Sequence, residues 1–301
     1  MRICHPQKIF FCWCLADSPP NINKKRGLGR SPSDFASALR SPATNPTVSA
    51  YNMQARGRVV APIRHIREVV MSYSPYLSSP TDVLRQQSVL TRVYAWMTAG
   101  LLTTGAIALF VSSSAALTRA IVGNPLIFFG LMIAEVALVW VLSANLMRMA
   151  PAMATGMFLG YAALNGLTLS VIFLAYTRAS IASTFFITAG TFATMSLVGY
   201  TTKRDLSKLG SLLFMALIGL IIASVVNMFM VSSALAWLIS CAGVLIFVGL
   251  TAYDTQKIKR MIAQVSGEDA EHRVAIYGAL NLYLDFINLF LYMLRILGRR
   301  R

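Results

Sequence analysis

The stretch Ile276–Leu297, IYGALNLYLDFINLFLYMLRIL, holds one acidic and one basic residue among 22, and the rest is largely apolar. About 20 such residues let an α-helix cross about 30 Å of hydrocarbon. Its polar residues recur at steps of three or four and form one helical stripe: Tyr277, Asn281, Asp285, Asn288 and Tyr292. Because a polar stripe cannot face lipid, the pattern predicts a helix at the centre of a bundle, with the stripe lining a hydrated path. The alternative is that Asn281 and Asn288 only join neighbouring helices.

Six further apolar runs precede this helix, at about 93–112, 126–147, 152–176, 179–200, 211–231 and 234–253. The gaps between them are short, so consecutive helices must pack antiparallel. The sequence therefore predicts an all-α membrane protein, a seven-transmembrane-helix bundle within residues 71–301. Residues 1–70 cannot bury enough apolar surface to fold, which predicts a disordered basic N-terminal tail that can include a leader upstream of Met53 or Met71.

Composition supports a membrane protein. Of 301 residues, 56% are hydrophobic and 13% are charged, and the mean hydropathy is +0.62. A soluble protein carries about 25% charged residues, so an ordinary globular enzyme and a disordered chain are excluded. The net charge of +16 is divided between the tail and the short gaps. That distribution suits a bilayer with anionic lipid, and no nucleic-acid partner is expected.

The gaps between the apolar runs also predict how the protein is oriented in the membrane. The gaps after the second, fourth and sixth runs hold eight Lys and Arg residues, whereas those after the first and third hold only Arg119 and Arg178. Since basic residues accumulate on the cytoplasmic side, the N-terminus and the gap at 257–273 are predicted to be cytoplasmic. Arg299–Arg301 leave two alternatives open: the last helix crosses with a cationic outer end, or it is re-entrant.

Three carboxylates fall within or at the edge of apolar runs: Glu135, Asp254 and Asp285. An Asp at the bilayer centre costs about 2.5–3.5 kcal/mol, so such residues are functional candidates. The midpoint between Asp254 and Asp285, at 269.5, lies in the polar turn Ser266–Asp269. Two helices leaving one turn reach equal depth at equal distance, so the two aspartates are predicted to meet. The alternative is that Asp254 merely ends the sixth helix at the interface.

A pair of carboxylates in a poorly hydrated site should share one proton and titrate as a coupled unit, which makes it a pH sensor. Its ionised form offers hard oxygen ligands suited to Ca²⁺. Glu135 has no intramembrane cation near it in sequence and should be protonated or face water. Arg148, at the end of the same run, either reaches lipid phosphate or latches onto the aspartate pair.

The segments GLTAYDTQKI (Gly249–Ile258) and ALNLYLDFINLF (Ala279–Phe290) resemble the two closing motifs of the Bax inhibitor-1 family. The segments YTTKRDL (Tyr200–Leu206) and ALNGL (Ala163–Leu167) are similar to its bacterial branch in particular. The resemblance covers about residues 82–298 and does not extend to the tail.

The resemblance implies a central seventh helix wrapped by two three-helix layers, in a bacterial inner membrane. It also implies a Ca²⁺ leak gated by a proton-sharing pair, here Asp254 and Asp285, with Glu135 as the family's second-helix glutamate and Arg148 as its gate-latching arginine. Family members are linked to stress survival, and some bacterial ones to a membrane-bound protease.

Three function classes follow. The first is a pH-sensitive Ca²⁺ leak, with Ca²⁺ as the transported ion and no resident cofactor. The second is a non-conducting regulator that binds another membrane protein. The third, an intramembrane aspartyl protease, is disfavoured because Leu282–Leu284 stand where presenilin-like proteases carry Gly-x-Gly. With no nucleophile–base pair or phosphate-binding glycine loop in the sequence, we expect no enzyme.

Overall fold

The computed structural model describes residues 80–300, and helices make up nearly all of that range. They are α1 (Pro80–Ser113), α2 (Ala115–Val122), α3 (Pro125–Asn145), α4 (Pro151–Leu169), α5 (Ile172–Ala175), α6 (Arg178–Thr201), α7 (Ser207–Met230), α8 (Ser233–Gln264) and α9 (Glu268–Leu297). A 3-10 turn, Leu146–Arg148, extends α3. No β-strand occurs within residues 80–300. The predicted disordered tail, residues 1–70, lies outside the described range.

Seven helical segments within the described range are long and apolar enough to cross a membrane, which confirms the predicted number. Two details differ from the sequence prediction. The gap after the first span contains the short helix α2, whose first turn is capped by the Ser114 hydroxyl. The third span is divided into α4 and α5, where the Ser170 hydroxyl donates to the carbonyl of Leu167 at 2.6 Å and competes with the helical backbone bonds.

Local chemistry fixes where several helices begin. Ahead of α3, the Asn124 side chain accepts a hydrogen bond from the amide of Leu126 at 3.0 Å. Pro125 then occupies the first helical position, where a missing N–H costs nothing. Thr177 and Ser232 cap α6 and α8 in the same way. Each cap satisfies an amide that the helix itself cannot, so each span starts at a defined residue.

The six outer spans form two layers of three helices. In the first layer, Thr104 of α1 donates to the carbonyl of Ala162 on α4 at 2.8 Å, and Thr168 of α4 donates to the Glu135 carboxyl of α3. In the second layer, α8 packs on both α6 and α7, and glycines allow the close approach. Gly199 of α6 lies directly against the backbone of α8. The grouping agrees with the predicted architecture.

The seventh span, α9, lies between the layers. Every residue from Val274 to Tyr292 is buried. In the other six spans, between 17% and 50% of the residues of the most apolar stretch are buried. Aromatic contacts join α9 to both layers, since Tyr283 packs on Phe158 of α4 at 5.8 Å between ring centroids and Phe286 packs on Phe192 of α6 at 5.4 Å. The predicted central position of this helix is therefore confirmed.

The course of α9 answers the question of re-entry. Its 30 residues form one continuous helix, about 45 Å long at 1.5 Å per residue. Beyond it, the carbonyl of Arg299 accepts a hydrogen bond from the amide of Thr177, at the start of α6. The last turns of α8 lie instead beside the end of α6, where Lys259 donates to the carbonyl of Tyr200 at 3.0 Å. The helix thus runs from one end of the bundle to the other, and we call the end at the α8–α9 connection the turn end.

Candidate functional site

Asp254 lies on α8 and Asp285 lies near the middle of α9, and both are buried, with 4% and 2% of their surface exposed. Their relative depth can be read from a nearby contact. Phe247 of α8 stacks on Tyr292 of α9 with 5.8 Å between ring centroids. Asp254 and Asp285 each lie seven residues, or about two helical turns, from that contact on their own helices. The register therefore agrees with equal depth for the two carboxylates.

The connection between the two helices is shorter than expected. It consists of Val265–Gly267, and α9 already begins at Glu268, so the predicted turn at Ser266–Asp269 is displaced toward the N-terminus. Gly267 has a φ of 100°, a conformation that side-chain-bearing residues rarely adopt. Glycine at this position permits the abrupt reversal that sends α9 back along α8.

Sequence reasoning missed a cation beside the acidic pair. The Lys257 ammonium lies 4.0 Å from Oδ1 of Asp254 and 5.6 Å from the centre of the Tyr277 ring on α9. The spacing of three residues between Asp254 and Lys257 places both on one face of α8, and that signal was present in the sequence. The structure thus adds one ammonium beside Asp254, and the charge at this place depends on whether the carboxyl holds a proton.

The two asparagines of the α9 stripe are buried, with 4% of Asn281 and 2% of Asn288 exposed. Asn288 donates to the carbonyl of Leu284 at 2.9 Å. Within residues 80–300, however, the Asn281 amide nitrogen and the Asn288 amide oxygen make no hydrogen bond. An unsatisfied buried polar group costs about 1–3 kcal/mol. Water or an ion bound along this stripe would remove that cost.

Glu135 belongs to a separate buried polar cluster in the first layer. Only 2% of it is exposed, and the Thr168 hydroxyl donates to its carboxyl. Tyr283 of α9 lies nearby, and its hydroxyl is 2.7 Å from the Thr104 hydroxyl and accepts from the Asn165 amide at 2.5 Å. The sequence predicts a protonated or water-facing Glu135 but gives no sign of Thr168 as its partner, because that residue lies on another helix.

Arg148 lies in the 3-10 turn at the end of α3, and its side chain is exposed. The neighbouring Met147 carbonyl accepts a hydrogen bond from Arg273 at 3.2 Å, which fixes the level of this turn along α9. Arg273 is twelve residues from Asp285, or about 18 Å along the helix. An arginine side chain does not span that distance, so the geometry favours the alternative in which Arg148 reaches lipid phosphate.

The YTTKRDL segment fastens the α6–α7 loop to α8. The Gln256 side chain accepts from the Leu206 amide at 2.9 Å and donates to the Arg204 carbonyl at 2.8 Å. Asp205 accepts a hydrogen bond of 2.5 Å from Arg260. That bond, assisted by the Ser207 amide, holds the pKa of the Asp205 carboxyl well below its ordinary value. The motif is therefore a loop anchor at the turn end.

The described residues contain no group of three or more His, Cys, Asp or Glu side chains that could hold a metal ion. A Ca²⁺ ion takes six to eight oxygen ligands. Asp254 and Asp285 would supply part of that shell, and water or amide oxygens would have to supply the rest.

The seven long apolar helices define a multi-pass membrane protein, and the chain belongs to the Bax inhibitor-1 family. The family model described as "Inhibitor of apoptosis-promoting Bax1" matches residues 86–301, which confirms the resemblance in the sequence motifs.

Its relatives include several bacterial proteins. Over 217 residues the chain is 54% identical to the inner membrane protein YbhL of Escherichia coli, covering 71% of this chain and 93% of that protein. It is 47% identical over 221 residues to a protein of Borreliella burgdorferi, covering 73% and 95% of the two chains. A protein of Deinococcus radiodurans is 44% identical over 211 residues, which are 70% of this chain and 90% of that one.

Proposed function

We propose that the protein is a pH-sensitive Ca²⁺ leak of a bacterial inner membrane, gated by Asp254 and Asp285 and serving stress survival. One observation carries the proposal. The central helix holds a buried column of Asn281, Asp285 and Asn288 at membrane depth, and the two amides retain unused hydrogen-bonding groups. A helix that served packing alone would have no reason to keep such groups in the middle of the bundle.

The gate works through the charge of the pair. When the two carboxylates share a proton, they are bridged and repel each other little, so a second cation gains little by entering. When both ionise, they repel each other and offer ligands to Ca²⁺. Lys257, beside Asp254, offsets part of that negative charge. Asn281 and Asn288 lie one helical turn to either side of Asp285, and they supply amide groups to water along the path.

The test is Ca²⁺ flux into liposomes containing the purified full chain, measured as a function of pH. Asp254→Asn and Asp285→Asn should each flatten the pH dependence, whichever direction the residual leak takes. Asp269→Asn is the matched control, because Asp269 lies on α9 and is exposed. It should keep the wild-type profile.

Two results would contradict the proposal. If both buried variants keep the wild-type flux and pH profile, the pair is structural. If the wild-type chain gives no flux above empty liposomes, the alternative of a non-conducting regulator that binds another membrane protein, such as a membrane protease, takes its place.

We propose further that the N-terminus and the turn end face the cytoplasm, on the basis of the basic residues in the gaps at that end. Cysteines introduced as Ser266→Cys and Arg300→Cys report the two ends of α9, because both positions are exposed. An impermeant thiol reagent added to intact cells should label position 300 and spare position 266. The opposite pattern would reverse the orientation.

A further inference from the structure

A groove of about 860 Å³ runs along the bundle between α1 and α6, with Phe286 of α9 at its floor. On the α6 side it extends from Phe185 to Tyr200, about 22 Å at 1.5 Å per residue. Its rim is apolar and accessible from the side, since 68% of Leu102 and 63% of Leu197 are exposed. The groove therefore faces the hydrocarbon of the membrane and reaches inward as far as the central helix.

The lining offers almost nothing to a polar ligand. No lining residue is charged. Three of its four hydroxyl groups are already engaged, because the Tyr94 and Ser196 hydroxyls are 2.9 Å apart, Ser196 is 3.0 Å from Thr255 of α8, and Thr98 donates to the backbone. The fourth belongs to Tyr200, at the turn end of the groove. Water gains no hydrogen bond by entering such a space, and an apolar cavity stays dry. The occupant must be apolar.

The groove is long and open to the side, and a membrane offers two apolar occupants: a hydrocarbon chain, or a helix of a partner or of a second copy. An extended hydrocarbon chain can lie along its length of about 22 Å and reach Phe286 at its floor. The charge at one end of the groove favours the lipid.

The charge at one end of the groove indicates the head group. Tyr200 lines the groove at the turn end, and the Lys259 ammonium lies 4.4 Å from the centre of its ring. An ammonium group near the mouth of an apolar groove complements a phosphate, and an anionic head group more than a zwitterionic one.

We propose that this groove is a binding site for an anionic glycerophospholipid, with an acyl chain between α1 and α6 and the phosphate near Lys259. The site is independent of ion conduction. It fills the space between the two layers on this side of α9 and so sets the position of α1 relative to α6.

Native mass spectrometry of the purified full chain tests the proposal with two probes, dioleoyl phosphatidylglycerol and dioleoyl phosphatidylcholine, which share their chains and differ in head group. The wild-type chain should retain one phosphatidylglycerol molecule. The fraction of protein that carries phosphatidylglycerol should be about fivefold larger than the fraction that carries phosphatidylcholine, which is the factor expected for one basic residue near an anionic group. Lys259→Gln should abolish that preference. Lys208→Gln, a change at an exposed lysine that does not line the groove, should keep it.

A second pair of variants tests the chain-binding part. Gly105 lines the groove, and a Cβ there would meet no atom within 4 Å, so Gly105→Leu fills the space without a clash. It should lose the retained lipid. Gly219→Leu adds the same side chain to α7, outside the groove and also in open space, and should keep the lipid. Ala193→Leu blocks the opposite wall and repeats the test if Gly105→Leu does not fold.

Equal retention by the blocked variants and Gly219→Leu would overturn the groove as the site. Equal retention of the two lipids by the wild-type chain would overturn the head-group assignment. A dimer that Gly105→Leu dissociates would place a second copy on the groove and also overturn the proposal.

Discussion

A close crossing of α6 and α8 in the second layer depends on the absence of one side chain. A Cβ built on Gly199 of α6 would lie 2.2 Å from the carbonyl oxygen of Ala252 on α8 and 2.8 Å from its Cα. Contacts below 3.0 Å essentially never occur for real Cβ atoms, so α6 and α8 would have to separate by roughly 1 Å. The obstacle is backbone, which cannot rotate away as a side chain would.

Gly199→Ala should therefore destabilise the protein. Overpacking costs about 1–3 kcal/mol, and this position belongs at the upper end of that range. Alanine regains about 1 kcal/mol of helix propensity, so the net loss is about 2 kcal/mol. Gly190→Ala on the same helix meets nothing within 4 Å and should gain up to about 1 kcal/mol.

The two alanine variants should therefore differ by about 3 kcal/mol, or about 6–12 °C in Tm for about 220 residues. Thermal unfolding of both variants in the same detergent measures that difference. The shift in α6 should also break the 3.0 Å contact between the Ser196 and Thr255 hydroxyls, next to Asp254 on α8. If Gly199→Ala unfolds at the same temperature as Gly190→Ala or higher, the close backbone approach does not hold the two helices together.

Three further predictions address other contacts. Tyr283→Phe removes the hydroxyl that bonds to the buried Asn165 and Thr104 side chains, and it should lower the free energy of unfolding by about 1–3 kcal/mol in chemical denaturation. Tyr176→Phe is the control and should be neutral, because the Tyr176 hydroxyl makes no hydrogen bond within the described part of the chain. Equal losses in the two variants would contradict this account. Lys257→Gln removes the cation beside Asp254 and, given the proposed gate, should shift the midpoint of the flux profile to higher pH, because a nearby cation favours the ionised carboxylate. An unchanged midpoint would exclude Lys257 from the gate. The pKa of the Asp205 carboxyl, measured by NMR titration, should lie well below its ordinary value of 3.8 and should return toward that value in Arg260→Gln. The stabilisation from this pair is therefore complete above about pH 4 and is lost as the pH falls through the lowered pKa. A titration midpoint that Arg260→Gln leaves unchanged would contradict the assigned cause.

The seven spans could be predicted from hydropathy, but three of the helices extend well beyond the predicted ends. Hydropathy detects the stretch that lies in hydrocarbon, whereas a helix can continue into the aqueous region. The helix α8 continues to Gln264 through Lys257, Lys259 and Arg260, and α9 begins at Glu268 before its apolar run. Charged residues at these positions therefore do not end the helix.

The candidate site was predicted only in part, because the sequence shows one helix at a time. Period and composition were enough to place Asp285 and the two asparagines on one face of a central helix. Contacts across the bundle were not visible. Tyr283 forms hydrogen bonds with Thr104 and Asn165, which are 179 and 118 residues away in the chain. No local sequence pattern predicts such long-range contacts. The distance between Arg148 and the aspartates likewise depends on where the end of α3 rests along α9.

The burial of α9 has a consequence for biosynthesis. The chain is synthesised from its N-terminus, so the other six spans leave the ribosome before α9 does. The aromatic rings at the centre of the bundle, however, complete their contacts only with α9. Until then those surfaces must be covered by lipid or by one another, and the two layers must remain separable enough to admit a full-length helix. The native core can form only after the chain has been translated through Leu297, so the protein must be assembled from the outside inward.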